Sequence, residues 1–276
     1  MLRDITFGQF YQTDSPLHRL DPRLKIVFLI TQIVFVFVAG NFVSLSIVLA
    51  LMLLEIAFSK VPVKLYLKNL KAILPILIFT LIFNLFYGTG DNILFHFWII
   101  TVTTESIIRS VYLLLRILIL IISGSVLSYT TSPNDLTDAI EKLFSPLSFI
   151  GLKSAVHTLA MMMTIAIRFI PTLVEETEKI IFAQKARGAD FENGGFKDKI
   201  NSLIPILIPL LISSVRRAYE LAEAMECRCY NGCEGRVRMK QFKLKRIDLF
   251  SALFVIVMSA GVVLSNIFLN NIIWGI

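Results

Sequence analysis

The sequence predicts an all-α, polytopic membrane protein with about five transmembrane helices plus long cytoplasmic or interfacial helices. Three observations predict it. Apolar residues fill 56% of the 276 positions and mean hydropathy is +0.75, whereas soluble domains seldom exceed about half apolar. Charged residues make up 17%, against roughly a quarter in soluble domains. The apolar positions gather in runs near the ~17–25 residues that cross a bilayer core.

The elements follow in order. The chain opens with charge and polarity at Arg3, Asp4, Thr13, Asp14 and Ser15, so no cleaved signal peptide is expected. Residues 1–130 read as a membrane domain with spans at 24–40, 42–58, 72–88 and 106–128. The first two are parted only by Gly40-Asn41. Between the third and fourth, Asn92–Thr103 is apolar but short, aromatic and β-rich, and follows Gly88-Thr89-Gly90-Asp91. That pattern predicts a hairpin or loop at the membrane surface rather than a span. Residues 246–276 hold the last span, centred on Phe250–Phe268.

Lysine and arginine set the orientation. Arg19, Arg23 and Lys25 precede or open the first span. Lys60, Lys64, Lys68 and Lys71 lie between the second and third. The intervening break at Gly40-Asn41 carries no charge. The N-terminus is therefore expected inside, with four spans returning the chain to the cytoplasm near Thr130. The same distribution explains the net charge of +7 without nucleic acid, which is not expected as a partner; membrane lipid is.

Residues 131–235 change character. Ser132-Pro133-Asn134-Asp135 is a helix start: short polar side chains cap free amides and proline suits the first turn. Leu136, Ile140, Leu143 and Phe144 share one face of the helix that follows, which predicts an amphipathic helix on the membrane surface. Two long helices come next, at roughly 154–187 and 196–230. Each is apolar first and charged afterwards. Gly188 is expected to end the first and Asn231-Gly232 the second. Ile200–Val215 spans about 24 Å at ~1.5 Å per residue, short of a ~30 Å core, and holds Pro205 and Pro209. Both helices are read as half-sunk in the membrane boundary or packed on protein, with their charged ends in the cytoplasm.

Those ends are the candidate site. Arg187 follows Ala183 by four residues and is flanked by Ala186 and Gly188; Arg228 follows Ala224 by four. A guanidinium is a planar, permanent cation able to hold a carboxylate bidentately, and small neighbours let a helix end enter a narrow groove. The pair predicts docking onto a paired acidic partner. Ser214, Ala218 and Ala222 repeat every four residues, the spacing at which helices cross closely. Met161, Met162 and Met163 form a deformable apolar patch. Arg116 lies within the fourth span, with Glu55 as one conceivable partner. Cys227, Cys229 and Cys233 fall within seven residues with no histidine nearby, so neither a disulfide framework nor a metal site is expected. No His-Glu-x-x-His, Gly-x-Ser-x-Gly or phosphate-loop run occurs, and no enzyme is expected.

Three strings resemble one family, the T component (EcfT family) of energy-coupling factor (ECF) transporters, importers of vitamins and metal ions. Ser15-Pro16-Leu17-His18-Arg19-Leu20-Asp21-Pro22-Arg23-Leu24-Lys25 is similar to its opening signature. Arg168-Phe169-Ile170-Pro171-Thr172-Leu173, running on to Ala183–Asp190, is similar to its first coupling helix with an Ala-Arg-Gly tip. Ala224–Tyr230 matches the second tip at Arg228, departing at Cys227 and Cys229, where Ala and Gly are usual.

The resemblance implies that Arg187 and Arg228 each seat on one of two cytoplasmic ABC-type ATPase subunits. It implies that the chain holds a substrate-binding S component, for which Met161–Met163 is the candidate contact. ATP and Mg would then be bound by partner subunits and no cofactor by this chain. The implied location is a bacterial cytoplasmic membrane. The competing reading is a stand-alone secondary transporter or channel subunit with Arg116 and Glu55 along its pathway.

Overall fold

The computed structural model describes residues 10–86, 93–97, 100–146, 153–189, 195–232 and 245–269. The chain divides into two compact units: Gly8–Leu136 with Lys240–Ile276, and Thr137–Met239 with the first seven residues.

The first unit is a helical bundle. It contains α1 (Pro22–Val38), α2 (Phe42–Ser59), α3 (Val63–Phe86), a two-stranded hairpin of β1 (Ile93–Phe97) and β2 (Ile100–Thr103), α4 (Thr104–Thr130) and α8 (Arg246–Phe268). Helix α4 packs against α1, α2 and α3, and α8 packs on α2 and α1. One core joins Val36, Leu45, Val48, Met52, Tyr112, Ile119 and Val262. A second joins Val61, Tyr66, Val126 and Tyr129. The hairpin is antiparallel, pairing Ile93 with Thr103 and Phe97 with Ile100. Helix α3 starts at Val63, nine residues before the expected 72, because Lys64, Lys68 and Lys71 continue the helix. Lysine is a good helix former whose charge can snorkel from an apolar stem.

Polar side chains tie the ends of the bundle helices together. At one end, Asp21 caps α1 by accepting from the Arg23 N–H at 3.0 Å. Asp248, at the start of α8, accepts from the backbone N–H of Asp21 (3.0 Å) and of Lys245 (2.6 Å). Lys25 Nζ donates to the Thr130 carbonyl of α4 at 2.8 Å. Ser15 and His18 join side chains at 2.7 Å, and His18 Nε2 meets the Tyr11 carbonyl at 2.9 Å. Arg19 holds Asp14 through two bonds, at 2.9 and 2.7 Å, keeping that carboxyl below its ordinary pKa. The opening signature is thus a clasp on α1, α4 and α8.

At the other end, Asn41 Nδ2 donates to the Ser265 and Leu269 carbonyls (3.2 and 3.0 Å). Asn266 binds the Gly40 N–H and the Val38 carbonyl. Tyr112 Oη and Arg116 Nη2 both donate to the Ala39 carbonyl, at 2.6 and 2.9 Å. Arg116 also lies over the Phe37 and Tyr112 rings. The partner of Arg116 is therefore the carbonyl end of α1, where helix dipole and hydrogen bonding both favour a cation, and not Glu55.

The second unit holds α6 (Lys153–Ala186) and α7 (Phe196–Glu226), preceded by α5 (Pro133–Phe144), whose last eight residues belong to it. Ser132 Oγ accepts from the Asp135 N–H at 3.2 Å, as expected of the helix start. His157 Nδ1 lies 3.2 Å from Glu141, joining α5 to α6. Helices α6 and α7 pack on each other and are about 51 and 46 Å long at ~1.5 Å per residue.

Among the described residues, five helices are long and apolar enough to cross a membrane: α2, the Val63–Asn84 part of α3, α4, Ser154–Ala186 of α6, and α8. Helix α1, with 17 residues, is shorter than these and packs within the bundle.

Candidate functional site

Helix α6 ends in a closed hydrogen-bond pattern. The Gly188 N–H returns to the Lys185 carbonyl at 3.0 Å, and the Ala189 N–H to the Gln184 carbonyl at 3.0 Å. This six-to-one with five-to-two pairing is a Schellman motif, which requires one residue in the left-handed region. Gly188 supplies it at φ +89°. Arg187 is the residue just before, with its N–H on the Gln184 carbonyl at 3.1 Å.

Helix α7 ends in the same pattern, shifted by 41 positions. The Cys229 N–H returns to Glu226 (2.8 Å), the Tyr230 N–H to Met225 (3.1 Å), and the Arg228 N–H to Met225 (3.1 Å). The left-handed residue is Cys229, at φ +55°. The expected terminator, Asn231-Gly232, lies beyond the end of the helix. A non-glycine residue in this region costs about 1–2 kcal/mol through its Cβ, and the Cys229 and Tyr230 N–H bonds hold the turn in place. The departure at Cys229 therefore leaves the backbone of the tip unchanged.

In both tips the arginine occupies the same capping position and is exposed. Ala183, Ala186, Gly188 and Ala224 are exposed beside them. Each cation sits at the negative end of its helix dipole. Thiols Cys227 and Cys229 are free and exposed; Cys233 lies outside the described residues.

Three contacts fix how α6 and α7 run. Met161 Sδ accepts from Tyr230 Oη at 2.9 Å. Glu176 Oε2 accepts from Arg217 Nη2 at 2.7 Å, and its Oε1 accepts from Ser213 Oγ. Gln184 Nε2 donates to the Pro205 carbonyl at 3.4 Å. As numbers rise along α6 they fall along α7, so the helices are antiparallel and their tips point apart. Pro209 explains the third contact. It has no N–H, which leaves the Pro205 carbonyl without its intrahelical donor, and Gln184 supplies one.

The crossing uses Ser213 and Arg217 rather than the small-residue stripe. Ser214 Oγ donates back to the Leu210 carbonyl of its own helix at 2.7 Å, and Ala218 and Ala222 stay exposed. A carboxylate opposite fixes the face through directional bonds, which alanine spacing does not provide. Met161 is half-buried against Tyr230, while Met162 and Met163 are exposed. In the sequence, Glu176 and Arg217 stand out only as members of the charged halves of the two helices. The available signal was their separation of 41, the same as that of Arg187 and Arg228.

Fold and site define a helical multi-pass membrane protein with two matched basic helix ends. The family model described as CbiQ, cobalt transport protein, matches residues 13–239. The chain is 46% identical, over its whole length and that of the relative, to the energy-coupling factor transporter transmembrane protein EcfT of Clostridium kluyveri. It is 45% identical to the protein of that name from Ruminiclostridium cellulolyticum, covering 96% of this chain and 98% of the relative. The corresponding figures for Lactococcus lactis subsp. cremoris are 38%, 95% and 98%. The chain belongs to this CbiQ/EcfT family of transmembrane transport components.

Proposed function

We propose that the chain is the T component of an ECF transporter. In this role it couples ATP hydrolysis by two cytoplasmic ATPase subunits to an S component that binds a vitamin or related micronutrient. It is a non-catalytic subunit; ATP and Mg belong to its partners. The congruence of the two arginine-capped helix ends carries the reading. One docking geometry presented twice, on rods pointing apart, suits two copies of one kind of partner. Because α6 and α7 are antiparallel, crossing the bilayer would place the tips on opposite sides. Tips in one compartment require the pair to lie along the membrane surface. The lysines of α3 and the expected inside N-terminus support the cytoplasmic side.

The test is the double variant Arg187→Ala with Arg228→Ala. Loss of one charge partner in a desolvated pair costs ~2–5 kcal/mol, so ATPase capture weakens by at least about thirtyfold. ATP-driven uptake is lost, while membrane insertion is kept. Normal uptake by the double variant sinks the proposal. So does labelling that places residues 190 and 232 on opposite faces of the membrane.

A further inference from the structure

Helices α2 and α8 meet at Val48 and Val262 in the bundle core. Toward the end of α2 and the start of α8 they part around a cavity of about 530 Å³. Leu51, Glu55 and Phe58 line it from α2, at the four- and seven-residue steps of one helix face. Phe250 and Phe254 line it from α8, again four residues apart, and Phe28 lines it from α1. Phe58 and Phe250 are 55% and 69% exposed, so the cavity opens outward. Glu55 is the one charged side chain in this lining.

A carboxylate among phenyl rings is costly to desolvate unless a cation or hydrogen-bond donors offset the cost. Among the described residues, no lysine, arginine or histidine forms an ion pair with Glu55. Lys25 is engaged elsewhere. Its Nζ donates to the Thr130 carbonyl at 2.8 Å and to Thr131 Oγ1 at 3.5 Å, and the carboxylates acting on it are Asp135, Asp21 and Asp248. Lys60, which caps α2, acts on Asp14. Gln32 of α1 lies beside Glu55 and is buried, yet no hydrogen bond of good geometry closes on its Nε2.

The rings add to the same field. A phenyl face carries negative charge density and attracts a cation, most strongly where water is excluded. A few hundred Å³ of mostly apolar wall with one polar anchor is the usual form of a small-molecule site. Lipid tails fill such a volume but offer nothing to the carboxylate. A single positive charge on an apolar body satisfies both.

From this we infer that the cavity binds a lipophilic monocation, with Glu55 as its counter-ion and Phe58, Phe250 and Phe254 packed on its apolar body. Bound there, the ligand braces α2 against α8. The site lies within the bundle and stands apart from the docking role of the two arginines.

The experiment uses the full chain in phosphatidylcholine nanodiscs. The probe is tetraphenylphosphonium, and tetraphenylborate is its anionic counterpart of like size and shape. The cation binds saturably, one per chain, and raises the melting temperature, as a ligand of the folded state does. Glu55→Gln weakens that binding about tenfold or more. Phe254→Leu keeps the apolar bulk but removes a ring face, and weakens it roughly threefold. The anion shows no saturable binding. Should Glu55→Gln fail to fold, Phe254→Leu and the contrast between cation and anion carry the test.

Equal binding of cation and anion reduces the cavity to an apolar gap. Unchanged affinity in Glu55→Gln removes the counter-ion. Absence of saturable cation binding means that Glu55 is held as the neutral acid. Each of these results overturns the inference, and none touches Arg187 and Arg228, which the double alanine variant tests separately.

Discussion

The bundle and the α6–α7 pair are built from similar apolar material and held in opposite ways. In the bundle, helix ends are gripped by other helices: Asp248 on the start of α1, Lys25 on the end of α4, Arg116 and Tyr112 on the end of α1. In the pair, side chains join the two shafts along their length, Tyr230 to Met161, Arg217 and Ser213 to Glu176, and Gln184 to Pro205, while the outer faces stay bare; Leu211 is 64% and Tyr219 72% exposed. Tying ends fixes every angle between helices. Ties along two shafts fix their register and direction. In the role proposed above, one part would serve as frame and the other as lever.

The largest effect that would break this contrast is expected in the frame. Asp248→Ala leaves two backbone donors unpaired, one of them the buried N–H of Asp21. That costs about 3 kcal/mol, read as a lower melting temperature of the whole chain in detergent. A drop confined to α8, seen by hydrogen exchange, would show that the bundle ends are not mutually tied.

A smaller effect is expected at the tips, and it should stay local. Gly188→Ala places a Cβ in the left-handed region, which costs about 1 kcal/mol or more. Cys229→Gly returns a similar amount. Amide exchange at residues 184–189 and 225–230 should speed up in the first variant and slow down in the second. Neither should move the melting temperature. A global shift would mean that the pair is as rigid as the frame.

The smallest effect concerns pH. Burial holds the His18 imidazole below its ordinary value of 6.5, so the folded bundle prefers the neutral ring. The unfolded chain then binds more protons. This contribution is complete above pH 6.5 and declines as pH falls below it. His18→Gln should flatten the dependence of melting temperature on pH between 7 and 5; an unaltered slope would remove His18 from the clasp.

Much of the frame was legible in the sequence. Apolar runs bounded by polar breaks mark α1, α2, α4 and α8, and Ser132-Pro133 marks the start of α5. The start of α3 was not, because lysines that continue a helix look like those of a connecting loop. Of the candidate site, both tips were legible as residues, but three physical facts were not. The terminator of α7 is Cys229, which composition does not announce, since left-handed conformations are read from glycine. The crossing face is set by a carboxylate bridging Ser213 and Arg217, whereas small-residue spacing pointed to Ser214, Ala218 and Ala222. The antiparallel run follows from which side chains meet across the interface, and an internal repeat alone is silent about direction.

Cys229 has a practical consequence. All three cysteines of the chain lie between positions 227 and 233, so a thiol reagent finds the end of α7 and nothing comparable near Arg187. Two arms alike in backbone thus carry different chemical addresses. If both ends face the cytoplasm and dock as proposed, a bulky maleimide added to inside-out vesicles would silence one handle and spare its twin, with no mutation made.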